Sequence, residues 1–165
     1  MNIEEPPDAK RHVIGLISDT HGLVRPDVHQ ALAGVELILH AGDVGEGVLA
    51  ELRTIAPVAA VFGNTDPPGD AELVEALELN VGGVSIHVSH GHEVGSPKPE
   101  KLIAAYVADV IVYGHTHRQL ITQRDNRLVI NPGAAGARRF NLKPSVALLT
   151  ISGGTASAKI IDLHD

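Results

Sequence analysis

The chain reads as an α/β fold of two packed sheets with helices on their outer faces. Three observations predict this. Short apolar runs alternate with helical segments in the first third of the chain, the pattern of parallel βα units. Three two-residue turn signals then follow, Gly82-Gly83, Asp125-Asn126 and Gly153-Gly154, each between strand-like runs. Apolar residues are 44% of the 165, enough for a sizeable core, while aromatics are 2%, so Val, Ile, Leu and Ala must build it.

Met1 to Arg11 is polar and reads as a loose tail, leaving a single domain over 1–165. His12–Ser18 is an apolar run of strand length. Pro26–Ala33 reads as a helix with Pro26 in its first turn. Leu37–Leu39 is a second buried strand, ending in His40, and Val48–Ile55 is a helix stopped before Pro57. Val58–Phe62 is a third strand. Leu77–Val81 and Val84–Ser89 flank the first turn signal. Lys98–Val107 is a helix after Pro97, and Val110–Tyr113 is another strand. Leu120–Arg124 pairs with Arg127–Asn131, and Val146–Ser152 with Thr155–Leu163, across the other two turns.

Composition excludes several functions. Thirteen basic against twenty acidic residues give a net charge of −7, which disfavours general nucleic-acid binding and anionic membranes. Phe62, Tyr106, Tyr113 and Phe140 are too few for base stacking. With no cysteine, disulfides, zinc–thiolate sites and thiol nucleophiles are excluded. No apolar run is long enough for a signal peptide or a membrane span, so a cytoplasmic protein is expected.

Ten histidines are many for this length, and their placement carries the chemistry. Five strand ends are followed in turn by Ser18-Asp19-Thr20-His21-Gly22, His40-Ala41-Gly42-Asp43, Gly63-Asn64-Thr65-Asp66, His90-Gly91-His92 and Gly114-His115-Thr116-His117. Sites in open α/β sheets form at the carboxyl ends of strands, so the five tips can converge. They deliver oxygen and imidazole nitrogen, which suits Mn²⁺, Fe²⁺, Ni²⁺, Co²⁺ or Zn²⁺. Asp19 and His21 are two apart, as are His115 and His117. In extended backbone each pair would share one side and could chelate. The candidate ligands are Asp19, His21, Asp43, Asn64, His90, His115 and His117, too many for one tetrahedral ion and suited to two.

Singly, each fragment has a plain reading. Asp19 can cap a helix, Gly42-Asp43 is an ordinary turn, and Asn64 tolerates left-handed backbone. A lone histidine is more often a satisfied surface or core residue. The ordered set, each member at a strand end, outweighs these readings. No G-x-G-x-x-G or P-loop follows any strand, which removes a Rossmann-type nucleotide site.

The series Asp-x-His, Gly-Asp, Gly-Asn-x-Asp, His-Gly-His and Gly-His-x-His resembles the motif series of the calcineurin-like metallophosphoesterases. The compact length, Ser18–Gly22 and Asn131-Pro132-Gly133 resemble its small YfcE-like branch, related to the retromer subunit Vps29. The resemblance implies a four-layer αββα sandwich and a phosphodiesterase, acting also on monoesters as a second possibility. It implies two divalent ions, Mn²⁺ foremost. Asp19, His21 and His117 would hold one with Asp43, which would bridge to a second held by Asn64, His90 and His115. A hydroxide bridging ions about 3.5–4 Å apart would attack phosphorus in line.

In the resemblance, His92 faces the pocket without binding metal, and Asp43, Asn64 and His92 form the catalytic set. Many members carry His where this chain has Thr65, and that His protonates the leaving oxygen. Thr65 cannot act as an acid. The chain is therefore expected to prefer good leaving groups, or to use His92 as the acid, with Asp66 fixing Asn64 or its turn. A Vps29-like scaffold with a vestigial metal site is the alternative, and loss of ligands would mark it. A nuclease of the superfamily would need further domains or a basic groove.

Other residues carry smaller expectations. His40 either donates to a carboxylate or carbonyl behind the ligands, or packs a strand end. Arg138-Arg139 reads as a solvated basic turn, with a grip on substrate phosphate as the alternative. His87 is expected to face solvent or a partner sheet. His12, His29 and His164 carry no pattern. The expected partner is a small phosphorylated substrate, and the edge strands of the late hairpins allow a homo-oligomer.

Overall fold

The computed structural model describes residues 10–67, 69–139 and 141–164. The expected tail, 1–11, lies outside them except for Lys10 and Arg11. Among the described residues, β1 (His12–Ile17), β2 (Leu37–His40), β3 (Val58–Ala60), β9 (Ser145–Ser152) and β10 (Thr155–Asp162) form one sheet, in the order β10-β9-β1-β2-β3. The second sheet takes β4 (Ala76–Val81), β5 (Val84–Ser89), β6 (Val110–Val112), β7 (Leu120–Arg124) and β8 (Arg127–Asn131), in the order β4-β5-β6-β8-β7.

Three helices cover the outer faces: α1 (Pro26–Ala31), α2 (Val48–Leu52) and α3 (Pro99–Ala105). Pro26 opens α1, where a missing N–H costs nothing. The opening proline of α3 is Pro99. The helices end two or three residues short of the expected ranges, and beyond α1 and α2 the chain tightens into i→i+3 turns, with the N–H groups of Ala33 and Thr54 donating to the carbonyls of Gln30 and Glu51.

Both sheets are mixed. β1, β2 and β3 run parallel, as do β5, β6 and β8, and the hairpins pair antiparallel at the sheets' edges. The three turns form where expected. Gly82, Gly83, Asp125, Asn126, Gly153 and Gly154 all have positive φ, as two-residue hairpins require. The central strands are buried on both faces, whereas β4 and β10 alternate with solvent at the edges.

Side chains alternate along β1 and divide the interior. Ile17 packs with Val28, Leu32 and Leu52 beneath α1 and α2. Ile14 and Leu16 face Ile86, Val88, Val110 and Val112 between the sheets. Leu102 packs with Ile111 and Val129 beneath α3. These three apolar layers are the αββα sandwich. Among the described residues, no helix is long and apolar enough to cross a membrane.

His87 departs from expectation. Ile86 and Val88 occupy the face of β5 toward the other sheet, so His87 points toward the α3 side. There it is 1% exposed, stacks on Tyr106 with ring centroids 3.6 Å apart, and bonds to Glu78 and to Ser89 Oγ at 2.9 Å. It faces neither solvent nor the partner sheet.

Candidate metal centre

The parallel strands of both sheets end at one edge of the sandwich, and their loops meet there. The loop after β1 places Asp19 and His21, that after β2 Asp43, and that after β3 Asn64. The loops after β5 and β6 place His90 and His92, and His115 and His117.

The backbone here differs from the extended form that the spacing suggests. Asp19, His21, His115 and His117 are not extended. Their φ angles are 53°, 47°, 71° and 64°, and Asp43 joins them at 55°. Left-handed backbone is uncommon for residues with a side chain and persists where surrounding structure imposes it. Sharp left-handed turns, not strand alternation, bring these groups together. Inter-loop bonds hold the turns: the N–H groups of Asp19, His21 and Gly22 donate to the carbonyls of Gly42, Asp43 and Val44 at 3.0, 3.0 and 2.9 Å. Gly63 and Gly114 are required by close approach. A Cβ at Gly63 would overlap the Asp43 carboxylate, and one at Gly114 the Ser18 hydroxyl.

Asp19, Asp43 and His90 are each gripped on one atom and left open on another. Asp19 Oδ2 accepts from Ser18 Oγ at 2.6 Å and from the His115 N–H at 3.1 Å, so Oδ1 is free. Asp43 Oδ1 accepts the Thr65 N–H at 2.9 Å and presents Oδ2. His90 Nδ1 donates to the Ala41 carbonyl at 2.8 Å, which fixes the tautomer and leaves the Nε2 lone pair available. Asp19 Oδ1 is 3.4 Å from His117 Nε2, 3.8 Å from His90 Nε2 and 3.9 Å from His21 Nε2. Asp43 Oδ2 is 3.2 Å from His90 Nε2 and 3.8 Å from His21 Nε2.

Two overlapping groups result, Asp19–His21–His117 and Asp19–Asp43–His90, with Asp19 common to both. Asn64 and His115 stand at the rim, bonded to each other at 3.2 Å. His92 lies behind, its ring 5.3 Å from that of His90 and 6.2 Å from that of His115.

Among the described residues, the buried polar atoms lacking a hydrogen-bond partner include Asp19 Oδ1, His21 Nε2 and His90 Nε2, all at this spot, while His117 turns its Nε2 toward Asp19 and leaves Nδ1 unpartnered, as is His92 Nδ1. Buried polar groups are otherwise almost always paired, so this concentration fits donor atoms oriented toward cations. Electrostatics agree. Burial alone would raise the Asp43 pKa, but the adjacent His90 imidazole and the Thr65 N–H outweigh it and hold the carboxyl below the ordinary range. Burial would lower the His90 pKa, yet the carboxylates of Asp43 and Asp19 raise it. Burial, aided by His90, lowers that of His115.

Supporting residues complete the centre. His40 is fully buried, accepts the Gly42 N–H on Nδ1 at 3.1 Å and bonds Thr20 Oγ1 through Nε2 at 2.9 Å. It braces the two carboxylate loops without touching either carboxylate. Asp66 fixes its own turn by accepting the Gly63 N–H at 2.8 Å. Ser18 and Asn131, which carry no ligand chemistry of their own, also belong to the site. Asn131 Nδ2 donates to Gly114 O at 3.2 Å and Thr116 Oγ1 at 3.0 Å, and so positions the loop bearing His115 and His117. Its signal was the Asn-Pro-Gly at the end of β8. Arg139 lines the mouth of the centre with Asn64, Thr65 and His115. Of the histidines without pattern, His12 pairs with Glu36, His29 with Glu51 and His164 with Asp27, all away from the centre.

Residues 13–154 match the family model described as the calcineurin-like phosphoesterase superfamily domain. The chain is 34% identical over 160 residues to a probable metallophosphoesterase of Methanothermobacter thermautotrophicus, covering 90% of this chain and 91% of that protein. It is 29% identical over 139 residues to a phosphodiesterase of Methanocaldococcus jannaschii, covering 73% and 82%. The structure superposes on Vps29 from Entamoeba histolytica, solved in complex with Zn²⁺, with a TM-score of 0.76 at 23% identity, covering 91% of this chain and 98% of that one.

Proposed function

We propose that this chain, which belongs to the calcineurin-like phosphoesterase superfamily, is a phosphodiesterase working with two divalent ions, Mn²⁺ foremost. The convergence of unpartnered buried donor atoms from separate loops carries the reading. Asp19, His21 and His117 would hold one ion together with Asp43, which would also serve the other with His90 and with Asn64 and His115 at the rim. The chemistry such ions supply when bound is neutralisation of phosphoryl charge and acidification of water.

The protein's own groups do the rest. Asp43 is kept ionised by the Thr65 N–H and His90, so it stays anionic in mildly acidic solution. Asn64 and Arg139 orient a phosphoryl group at the mouth, Arg139 by pairing with its oxygens. His92, beside His90 and His115, would give a proton to the departing oxygen, since Thr65 has none to give at neutral pH.

The name of the M. jannaschii relative supports diesters. The fold shared with Vps29 supports a second reading, a non-catalytic scaffold. Against it stand the seven ligand positions, all retained. The deciding experiment is metal analysis of the purified protein, with hydrolysis of bis-p-nitrophenyl phosphate before and after chelation. Metal near two per chain, and activity lost to EDTA and restored by Mn²⁺, is expected. Bound metal with no turnover would establish the scaffold.

A further inference from the structure

A cleft of about 710 Å³ opens beside the candidate centre. Its size lies within the range of small-molecule sites, about 300–1,000 Å³. It is continuous with the mouth of the centre, because His21 and Thr65 line both. From there it runs over the Gly45–Gly47 loop and along α2. Val44, Leu49, Ala50 and Leu73 give it an apolar wall. Its charged lining is lopsided: Glu46, Asp66, Asp70 and Glu72 against Arg53 alone. That one cation is already engaged, with Arg53 Nη1 3.0 Å from Glu72 Oε1.

We infer that this cleft binds the ester group of a phosphodiester that stays on phosphorus, and that it selects an apolar group bearing no negative charge. The inference rests on the phosphodiesterase reading and adds the class of substrate. Two observations set the position and the chemistry. His92 lies against His90 and His115 and lines neither the cleft nor the mouth, so the departing oxygen belongs on the His92 side and the retained group on the Thr65 side. The small Thr65 side chain at the junction leaves the passage open. The apolar wall rewards a ring or alkyl group by burying it. The acidic lining repels a second phosphate or a carboxylate, so nucleoside polyphosphates and polynucleotides are poor occupants.

The test compares two esters with the same leaving group, bis-p-nitrophenyl phosphate and methyl p-nitrophenyl phosphate, on metal-loaded wild type and on Ala50→Trp, which fills the cleft from the exposed face of α2. Wild type should show a KM about tenfold lower for the aryl ester, the effect of burying one ring. Ala50→Trp should raise that KM about tenfold and leave the methyl ester within about twofold, with kcat little changed. A third ester with a 4-carboxyphenyl group in place of the retained p-nitrophenyl should bind severalfold more weakly to wild type. Glu72→Gln, by releasing Arg53, should narrow that gap.

Binding is read separately from turnover. Added p-nitroanisole, a neutral ring, should shift the backbone amide resonances of Val44, Leu49 and Leu73 in wild type and not in Ala50→Trp. Hydrolysis of both esters with equal effects of Ala50→Trp, and no shifts at these amides, would overturn the inference alone. Shifts at these amides with no hydrolysis of any ester would overturn the phosphodiesterase reading and with it the cleft's role as a substrate subsite. A carboxylate tolerated as well as a neutral ring would overturn the selection against negative charge.

Discussion

The Val44 N–H donates to both carboxylate oxygens of Asp66, at 2.9 and 3.1 Å. The same carboxylate accepts the N–H groups of Gly45 at 3.2 Å and Gly63 at 2.8 Å. One side chain thus ties the loop after β2 to the loop after β3, and with them Asp43 to Asn64. Bonds to a charged group contribute about 1.5–3 kcal/mol each, less where water reaches them. Asp66→Ala should therefore lower stability by about 2 kcal/mol in urea denaturation. Because Asn64 loses its position, calorimetry should also show metal affinity reduced at least tenfold. Asp66→Asn, which keeps an acceptor, should fall between. Unchanged metal binding in Asp66→Ala would show that the turn holds itself.

Much of this centre was legible because chemistry-bearing residues sit directly after apolar runs. The strand β1 announces itself by Val13–Ile17, and Asp19 follows at once. Hairpin turns were readable for the same local reason: Asp125-Asn126 can adopt positive φ where most pairs cannot. What stayed hidden depends on other parts of the chain. Glu78 faces His87 across the Gly82-Gly83 hairpin, but the ring that covers His87, Tyr106, comes from beyond α3, so its burial has no local signature. The left-handed turns at Asp19 and His115 are imposed by bonds between loops, and the sequence suggests extended backbone instead. The cleft beside α2 is a gap between three segments, and no motif marks a gap.

Arg139 lines the mouth with Asn64, Thr65 and His115, the position that the proposed phosphate grip requires of it. A guanidinium there meets phosphate oxygens in the ground state and at the transition state alike. Removing such uniform binding raises KM with little effect on kcat. Arg139→Gln should raise KM for bis-p-nitrophenyl phosphate about tenfold, the effect of one charge-assisted bond. Inhibition by inorganic phosphate should weaken in parallel. A variant with wild-type KM and phosphate inhibition would return Arg139 to the solvated surface.

His92 Nδ1 is buried without a partner, and its ring lies 5.3 Å from that of His90, so a proton carried by this ring would serve a leaving oxygen on the His90 side. A departing p-nitrophenolate needs no proton, whereas a departing alkoxide does. His92→Ala should therefore slow alkyl diesters by about 10²–10⁴ and leave p-nitrophenyl esters within about threefold. Wild type should itself favour aryl over alkyl leaving groups if His92 contributes little. Equal wild-type rates on the two ester types, unaltered in His92→Ala, would remove both the leaving-group preference and the acid.

His40 links the centre to folding. Its Nδ1 must accept the Gly42 N–H, so its Nε2–H donates to Thr20 Oγ1, and the Thr20 hydroxyl passes its own proton to the Val44 carbonyl at 2.6 Å. This chain accommodates only the neutral ring. Burial, opposed by the nearby carboxylates of Asp19 and Asp66, lowers the His40 pKa to about 4 from 6.5. The unfolded chain therefore takes up this proton near pH 6.5 and the folded one only near pH 4. The contribution is whole above pH 6.5, declines as pH falls between those values, and changes no further below pH 4. From pH 7 to 5, wild type in EDTA should lose about 2 kcal/mol more stability than His40→Gln, measured by urea unfolding at each pH. A parallel decline in both proteins would mean that His40 is protonated without breaking the links to Gly42 and Thr20.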